Sequence, residues 1–277
     1  MKKRGERITA LTAYDHPTAR LLDEAGIDLI LVGDSLGMVI QGRDSTLAVT
    51  MDEIIYHTRL VARAVHQALV VADMPYGSYH LSPEQAVANA IRVVKKTGCD
   101  AVKVEGGSDR VSVIRALLAA EVPVMGHIGL TPQSVKRLGG YKIQGRQLQD
   151  IERLITDAET LQEAGCFSLV LEGIPHPVGR IISRKLEIPA IGIGAGPHCD
   201  GQILVFHDMM GLNEAGTFRF VRQYAQLAEL IRRSLTDYQQ DIRTGRFPSL
   251  EESFPLEESI EAQLEEIYGS YLEDEQT

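Results

Sequence analysis

Aliphatic runs rich in Val, Ile and Leu recur along the chain, each followed by a stretch whose apolar residues return every three or four positions. The first pattern predicts buried strands and the second amphipathic helices. Strands are expected at "ITALTAY" (8–14), "DLILVGD" (28–34), "ALVVADM" (68–74), "DAVKVEG" (100–106), "VPVMGHI" (122–128), "FSLVLEG" (167–173), "IPAIGIG" (188–194) and "GQILVFH" (201–207). The segment "SPEQAVANAIRVVKKTG" illustrates what lies between them. Ser82 is placed to cap a helix, Pro83 to occupy its first position and Gly98 to stop it.

Strands alternating with helices predict a parallel sheet. Eight β/α units within 277 residues predict a (β/α)8 barrel, the TIM barrel. An open, doubly wound sheet is the rival architecture. Its GxGxxG fingerprint is missing after the first strand, and the later "GIGAG" (192–196) lacks the third glycine. An internal echo supports stacked β/α units: "EAGIDLILVGD", "KTGCDAVKVEG" and "EAGCFSLVLEG" share a helix-ending glycine, a strand and an acid near its end.

Composition narrows the picture. Hydrophobic residues make up 44%, with no Trp and 5% aromatics, so the core is expected to be aliphatic. No stretch approaches the roughly 18 apolar residues of a membrane span. The basic start "MKKRGERITA" has no apolar segment behind it, so it does not read as a secretory signal. Cys99, Cys166 and Cys199 form no CxxC pair, which indicates neither a zinc site nor a disulfide framework. A cytoplasmic location is the expectation.

Charge divides the chain. Ten of its 38 acids follow Arg246, the last basic residue, and the other 28 match the 28 Lys and Arg. A balanced body without a basic block argues against nucleic-acid binding. The catalytic barrel is expected to fill residues 1–255 and an acidic extension residues 256–277. In that extension Ile260, Leu264, Ile267, Tyr268, Tyr271 and Leu272 fall on one helical face.

In a β/α barrel the active site forms at the C-terminal ends of the strands. Read in order, those ends deliver Tyr14, Asp34, Asp73, Glu105, His127, Glu172 and the glycines around Gly194. Carboxylates converging in one half-buried mouth need a cation, shared protons, or both. Oxygen ligands without a Cys/His cluster suit a hard ion such as Mg²⁺. Lys103, two residues before Glu105, is expected on the same interior face, paired with an acid or a substrate. Plainer readings stay open residue by residue. Asp34 and Asp73 fit turn acids, Lys103–Glu105 an internal salt link, and His127 a core histidine.

Together these blocks resemble ketopantoate hydroxymethyltransferases. The matching segments include "LTAYDHPTARLLDEAGIDLILVGDSLGMVIQGRDSTLAVTMDEIIYHTRLV", "ADMPYGSY", "VKVEGG", "GHIGLTPQS", "GGYKIQGR", "LVLEGIP" and "IGIGAGPHCDGQILVFHDMMG", in order from about residue 7 to about 254. The resemblance implies a (β/α)8 barrel, often a homodecamer, that binds Mg²⁺ through Asp34 and Asp73 with Glu105 nearby, holding a water on the ion. It implies a 2-oxoacid bound at the ion and held by Ser35 and Lys103, His127 in the site, and Glu172 as general base. It further implies transfer of a one-carbon unit from 5,10-methylenetetrahydrofolate to 3-methyl-2-oxobutanoate, in pantothenate synthesis. Chains of that family usually end near "ESFP" (252–255), so the resemblance gives the extension no role. The alternatives are a metal-dependent lyase or mutase of the phosphoenolpyruvate mutase group and a non-catalytic barrel. A lyase of that group carries its cysteine in a "KKCGH"-type loop, a motif lacking here.

Overall fold

The computed structural model describes residues 1–213 and 218–271. Eight parallel strands close into a barrel in chain order. They are β1 (Ile8–Thr12), β2 (Leu29–Val32), β3 (Leu69–Asp73), β4 (Ala101–Glu105), β5 (Val124–Gly129), β6 (Ser168–Glu172), β7 (Ala190–Ile193) and β8 (Gly201–Leu204). The helices are α1 (His16–Glu24), α2 (Leu36–Val39), α3 (Met51–Ala62), α4 (Pro83–Thr97), α5 (Val111–Ala119), α6 (Val135–Leu138), α7 (Leu148–Ala164), α8 (His176–Lys185), α9 (Phe206–Met209), α10 (Leu227–Arg243) and α11 (Glu258–Tyr268). By compactness the chain divides into Met1–Ala225 and Gln226–Thr277.

Both faces of each strand are covered, which is why the strands read as nearly continuous aliphatic runs. Outward-pointing Ile30, Val70, Val102, Val124 and Leu169 pack in the cluster beneath the helices. Inward-pointing Leu31, Val71, Ala101, Met125, Val170 and Ile191 fill the lower barrel. Two residues further along several strands, the same inward face turns polar: Asp73 after Val71, Lys103 and then Glu105 after Ala101, His127 after Met125, Glu172 after Val170. Period-2 alternation thus stacks a charged layer on an apolar plug.

Helix ends follow the chemistry of their residues. Ser82 accepts from the Gln85 amide at the start of α4, and Gly98 ends it in the left-handed region at φ 75°. Thr50 and Glu53 form a reciprocal capping box on α3. The eighth strand is shorter than its apolar run predicts. Phe206 opens α9 instead, its N–H donating to Thr12 Oγ1 at 3.1 Å.

The unit Gln226–Thr277 carries α10 and α11, and no residue of either helix is buried. Ile260, Ile267, Tyr268 and Tyr271 of the predicted stripe are exposed. Leu272 lies outside the described residues. No described helix is long and apolar enough to cross a membrane.

Candidate active site

The strand ends open into a cavity of about 690 Å³. Its apolar wall includes Leu130, Pro132, Tyr141, Ile143, Phe218 and Phe220. Its polar floor holds Asp34, Ser35, Asp73, Lys103, Glu105, His127 and Glu172, while Tyr14, which the sequence also placed at the strand ends, does not line it.

The floor is buried. Asp34, Asp73, Lys103, Glu105 and His127 are each at most 4% exposed. One ligand oxygen each from Asp34, Asp73 and Glu105 lies within 4.8 Å of the others. Lys103, on the inward face of β4, reaches between two of them. Its Nζ donates to Asp73 Oδ1 and Oδ2 at 2.8 and 2.9 Å and to Glu105 Oε1 at 3.0 Å. The backbone N–H of Asp34 donates to Asp73 Oδ2 at 3.1 Å, tying the turn after β2 to the end of β3.

Three carboxylates against one ammonium leave the cluster short of positive charge, and Asp34 bears the deficit. Burial raises its pKa well above the carboxylate range, and the charges of Asp73 and Glu105 push it further. Burial opposes Glu105 too, but Lys103 and His127 overcome it and hold that acid at about 2. Lys103 stays charged because Asp73, Glu105 and Asp34 outweigh its burial.

His127 stands between two acids. Its Nδ1 lies 3.2 Å from Glu105 Oε1, and its Nε2 lies 3.3 Å from Glu172 Oε2. The second approach has ion-pair distance but misses hydrogen-bond alignment, so Nε2 has no hydrogen-bond partner. Burial disfavours the imidazolium, yet Glu105 prevails and lifts its pKa to about 9. Glu172 is the more open acid, with a side chain 16% exposed against 2% for Glu105. It stands apart from the trio whose oxygens converge. Its position depends on Gly129, at φ 96°, where a Cβ would sit 2.2 Å from the Glu172 carbonyl oxygen. That close approach lets the Leu130 N–H donate to the same carbonyl at 2.8 Å.

Of the residues that brace this floor, the sequence placed Tyr14 at the strand ends but gave no role to Gln133 or Tyr79. Tyr14 Oη lies 2.7 Å from Ser35 Oγ and fixes the serine at the mouth of β2. Gln133 and Tyr79, both buried, touch the acids from the loop after β5 and the turn after β3. Gln133 sits in a short turn, Pro132–Ser134, where no periodicity marks a side chain as inward. The one available signal was a bulky amide a few residues beyond a strand end in "GHIGLTPQS".

The trio fits a divalent cation: oxygen donors only, in close convergence, with a formal charge that one lysine does not cancel. A closed parallel barrel with a charged floor at the C-terminal ends of its strands has the form of a (β/α)8 enzyme, and its acid trio could hold a metal ion. A family model described as ketopantoate hydroxymethyltransferase matches residues 1–250. A 3-methyl-2-oxobutanoate hydroxymethyltransferase of Koribacter versatilis is 54% identical over 266 residues, covering 96% of this chain and 90% of the relative. One of Desulforapulum autotrophicum is 57% identical over 254 residues, covering 92% and 95%. The chain belongs to the ketopantoate hydroxymethyltransferase family.

Among solved structures, a phosphoenolpyruvate phosphomutase from Streptomyces platensis superposes with a TM-score of 0.59 at 16% identity, over 96% of this chain and 92% of that one. A 2,3-dimethylmalate lyase gives 0.57 at 17%, over 98% and 93%. These two likenesses are of fold.

Proposed function

We propose that this chain transfers a hydroxymethyl group from 5,10-methylenetetrahydrofolate to 3-methyl-2-oxobutanoate, giving ketopantoate for pantothenate synthesis. The observation that carries the reading is the acid trio around Lys103 at the base of a cavity that also contains Glu172. Membership of the family supplies the reaction class. The cavity is far roomier than a five-carbon oxoacid requires, which suits a reaction of two substrates.

Asp34 and Asp73 would hold Mg²⁺, with Glu105 beside them. When bound, the ion supplies a Lewis acid for the ketone and carboxylate oxygens of the oxoacid. Lys103 adds fixed positive charge on the same floor, in a buried setting where it counts for more than in water. Ser35, oriented by Tyr14, offers a hydroxyl to the oxoacid. Loss of the C3 proton turns the oxoacid into its enolate, and Glu172 is the base that receives that proton. His127, hydrogen-bonded to Glu105, sets its other ring nitrogen at ion-pair distance from Glu172 and so places positive charge beside the base. One water releases the one-carbon unit from the folate: both carbon–nitrogen bonds of the methylene break, the water's oxygen stays on that carbon at the formaldehyde level, and tetrahydrofolate leaves. The carbon nucleophile then bonds to that carbon, and the resulting alkoxide takes back the proton held by Glu172 to become the hydroxyl of ketopantoate. The apolar wall of Leu130, Ile143 and Phe218 would keep bulk solvent from the carbanion, leaving the single water that the transfer consumes. By the same resemblance the enzyme works as a homo-oligomer, a decamer, in the cytoplasm.

A cysteine-dependent lyase is the poorer reading. Cys99, Cys166 and Cys199 are free and buried, and none lines the cavity. Burial raises the pKa of all three, that of Cys166 to about 12. The deciding test is product formation from 3-methyl-2-oxobutanoate with and without methylenetetrahydrofolate, and with excess EDTA. Ketopantoate should appear only with both folate and divalent ion. Folate-independent turnover, or full turnover in EDTA, would refute the assignment.

A further inference from the structure

The side-chain amide of Gln133 is saturated in a dry setting, 4% exposed. Its Nε2 donates to Asp34 Oδ2 at 3.1 Å and to the Met74 carbonyl at 2.9 Å. Its Oε1 accepts from Tyr79 Oη at 2.7 Å. Its backbone N–H donates to Glu105 Oε2 at 3.1 Å. The amide has one possible orientation, because Met74 O is a pure acceptor and a flipped amide would set oxygen against oxygen there. Tyr79 completes the brace, its oxygen accepting the Glu105 N–H at 3.2 Å.

The three acids differ in who holds them. Asp73 and Glu105 are both held by Lys103. Among the described residues, the carboxylate of Asp34 accepts one hydrogen bond of full geometry, and Gln133 gives it. Gln133 engages Oδ2 and leaves Oδ1 without a hydrogen bond of full geometry, while Thr46, also lining the cavity, lies near enough to lower the Asp34 pKa though its buried hydroxyl makes no hydrogen bond of full geometry. On Glu105, Gln133 engages Oε2 while Lys103 and His127 engage Oε1.

We propose that Gln133 is a positioning residue for the cation site: one side chain and its own backbone amide orient Asp34 and Glu105 together, so that Asp34 presents Oδ1 to a divalent ion. This rests on the reading of Asp34, Asp73 and Glu105 as the ion's site and adds to it the residue that sets their aim. Groups that orient ligands in this way commonly change metal affinity by about 10–100-fold when removed. Tyr79 acts one step further out, by holding the amide's oxygen, and its removal should have a smaller effect.

The test is calorimetric titration of the full chain, stripped of metal, with Mg²⁺ alone. The parent protein, Asp34→Asn, Gln133→Met and Tyr79→Phe are compared, each with its metal-free melting temperature. Gln133→Met keeps the bulk and removes both hydrogen-bonding ends; Tyr79→Phe removes only the hydroxyl. The expected result is one site in the parent, lost in Asp34→Asn, weakened about 10–100-fold in Gln133→Met and severalfold in Tyr79→Phe. A residue that merely filled space would lower the melting temperature and leave affinity alone. Parent-like affinity in a folded Gln133→Met protein overturns the inference while leaving the cation site standing. If that variant does not fold, parent-like affinity in Tyr79→Phe overturns it equally. Absence of Mg²⁺ binding by the parent overturns both this inference and the cation site itself.

Discussion

The two ends of the barrel both carry aspartates, yet the groups around them differ. At the lower end, where strands begin, acids serve the backbone. Asp28 accepts from the Thr9 N–H at 2.8 Å, Asp100 from Val70 at 2.8 Å and Asp200 from Ala190 at 2.8 Å. Each stands just before an even-numbered strand and pins the start of the odd-numbered strand before it. Asp23, near the end of α1, accepts from three successive amides, His66, Gln67 and Ala68, at 2.9, 3.0 and 2.8 Å. At the upper end, Asp34, Asp73 and Glu105 face one another, and one lysine pairs with the latter two. An acid surrounded by amide donors is finished as structure. An acid surrounded by other acids lacks a counter-charge, and that lack is what a cation site is made of.

The largest effect expected from this contrast is on activity. Asp34→Ala or Asp73→Ala should lower turnover about 10³-fold or more, since a lost Lewis acid is worth several kcal/mol and each 1.36 kcal/mol is tenfold. The metal-free Asp34→Ala protein should melt no lower than the metal-free parent, because that carboxylate is a burden without an ion. Steady-state kinetics paired with calorimetric melting checks both halves. A large fall in melting temperature would make Asp34 a structural acid like those at the other end.

Asp23→Ala is the converse experiment. It leaves three amides without their acceptor, and a loss of about 2–4 kcal/mol is expected, since hydrogen bonds to charged groups are worth about 1.5–3 kcal/mol each and their loss is not additive. Burial works against the Asp23 carboxylate, but the amides of Ala68, His66 and Gln67 prevail and lower its pKa. Its contribution is therefore fully present above the unfolded value of about 3.9 and is lost as pH falls through the lower folded value. Denaturant titrations of parent and variant should differ most near neutrality and converge in acid, with kcat little changed.

Mg²⁺ should stabilise the protein, by about 2.7 kcal/mol at a hundredfold excess over its dissociation constant. The gain should grow with pH. Asp34 has a raised folded pKa, so folding without an ion loses stability as pH climbs from the ordinary carboxylate range toward that raised value. The ion competes with this proton and is favoured where the proton leaves. Melting scans with and without Mg²⁺ across the pH range measure it. A stabilisation that shrinks with rising pH would contradict the placement of the proton on Asp34.

The smallest expected effect lies outside the barrel. Truncation after Pro255 removes α11 with its exposed Ile260, Ile267 and Tyr268, and the exposed Tyr271 beyond it. Turnover should stay within about twofold, with any change falling on melting temperature or size-exclusion mass, because covered apolar surface contributes about 25 cal/mol per Å². Loss of turnover at unchanged size and stability would bring the extension into the chemistry.

The order of strands was readable because both faces of a barrel strand are buried, which leaves an unmistakable aliphatic run. Glu105 and Glu172 could be nominated for the same reason, each being the last residue of such a run. Lys103 followed from two-residue alternation, and its Nζ does meet Glu105. Asp34 was visible only as an acid beyond Gly33, outside β2, where turn chemistry and site chemistry look alike. Gln133 and Tyr79 were hidden because irregular backbone has no period from which to read direction. The capping aspartates were hidden for a related reason. Asp28 and Asp34 bracket the same strand, and nothing local tells which will find amide donors and which will find other acids.

The central claim is that the upper acids and Glu172 together make a proton-abstracting site at C3 of the oxoacid. Proton NMR of 3-methyl-2-oxobutanoate in deuterated water, without folate, tests it most directly. With Mg²⁺, the parent protein should wash out the C3 proton; EDTA should stop the exchange, and Glu172→Gln should slow it by about 10²–10⁴-fold. Exchange continuing at the parent rate in EDTA, or in Glu172→Gln, would contradict the account.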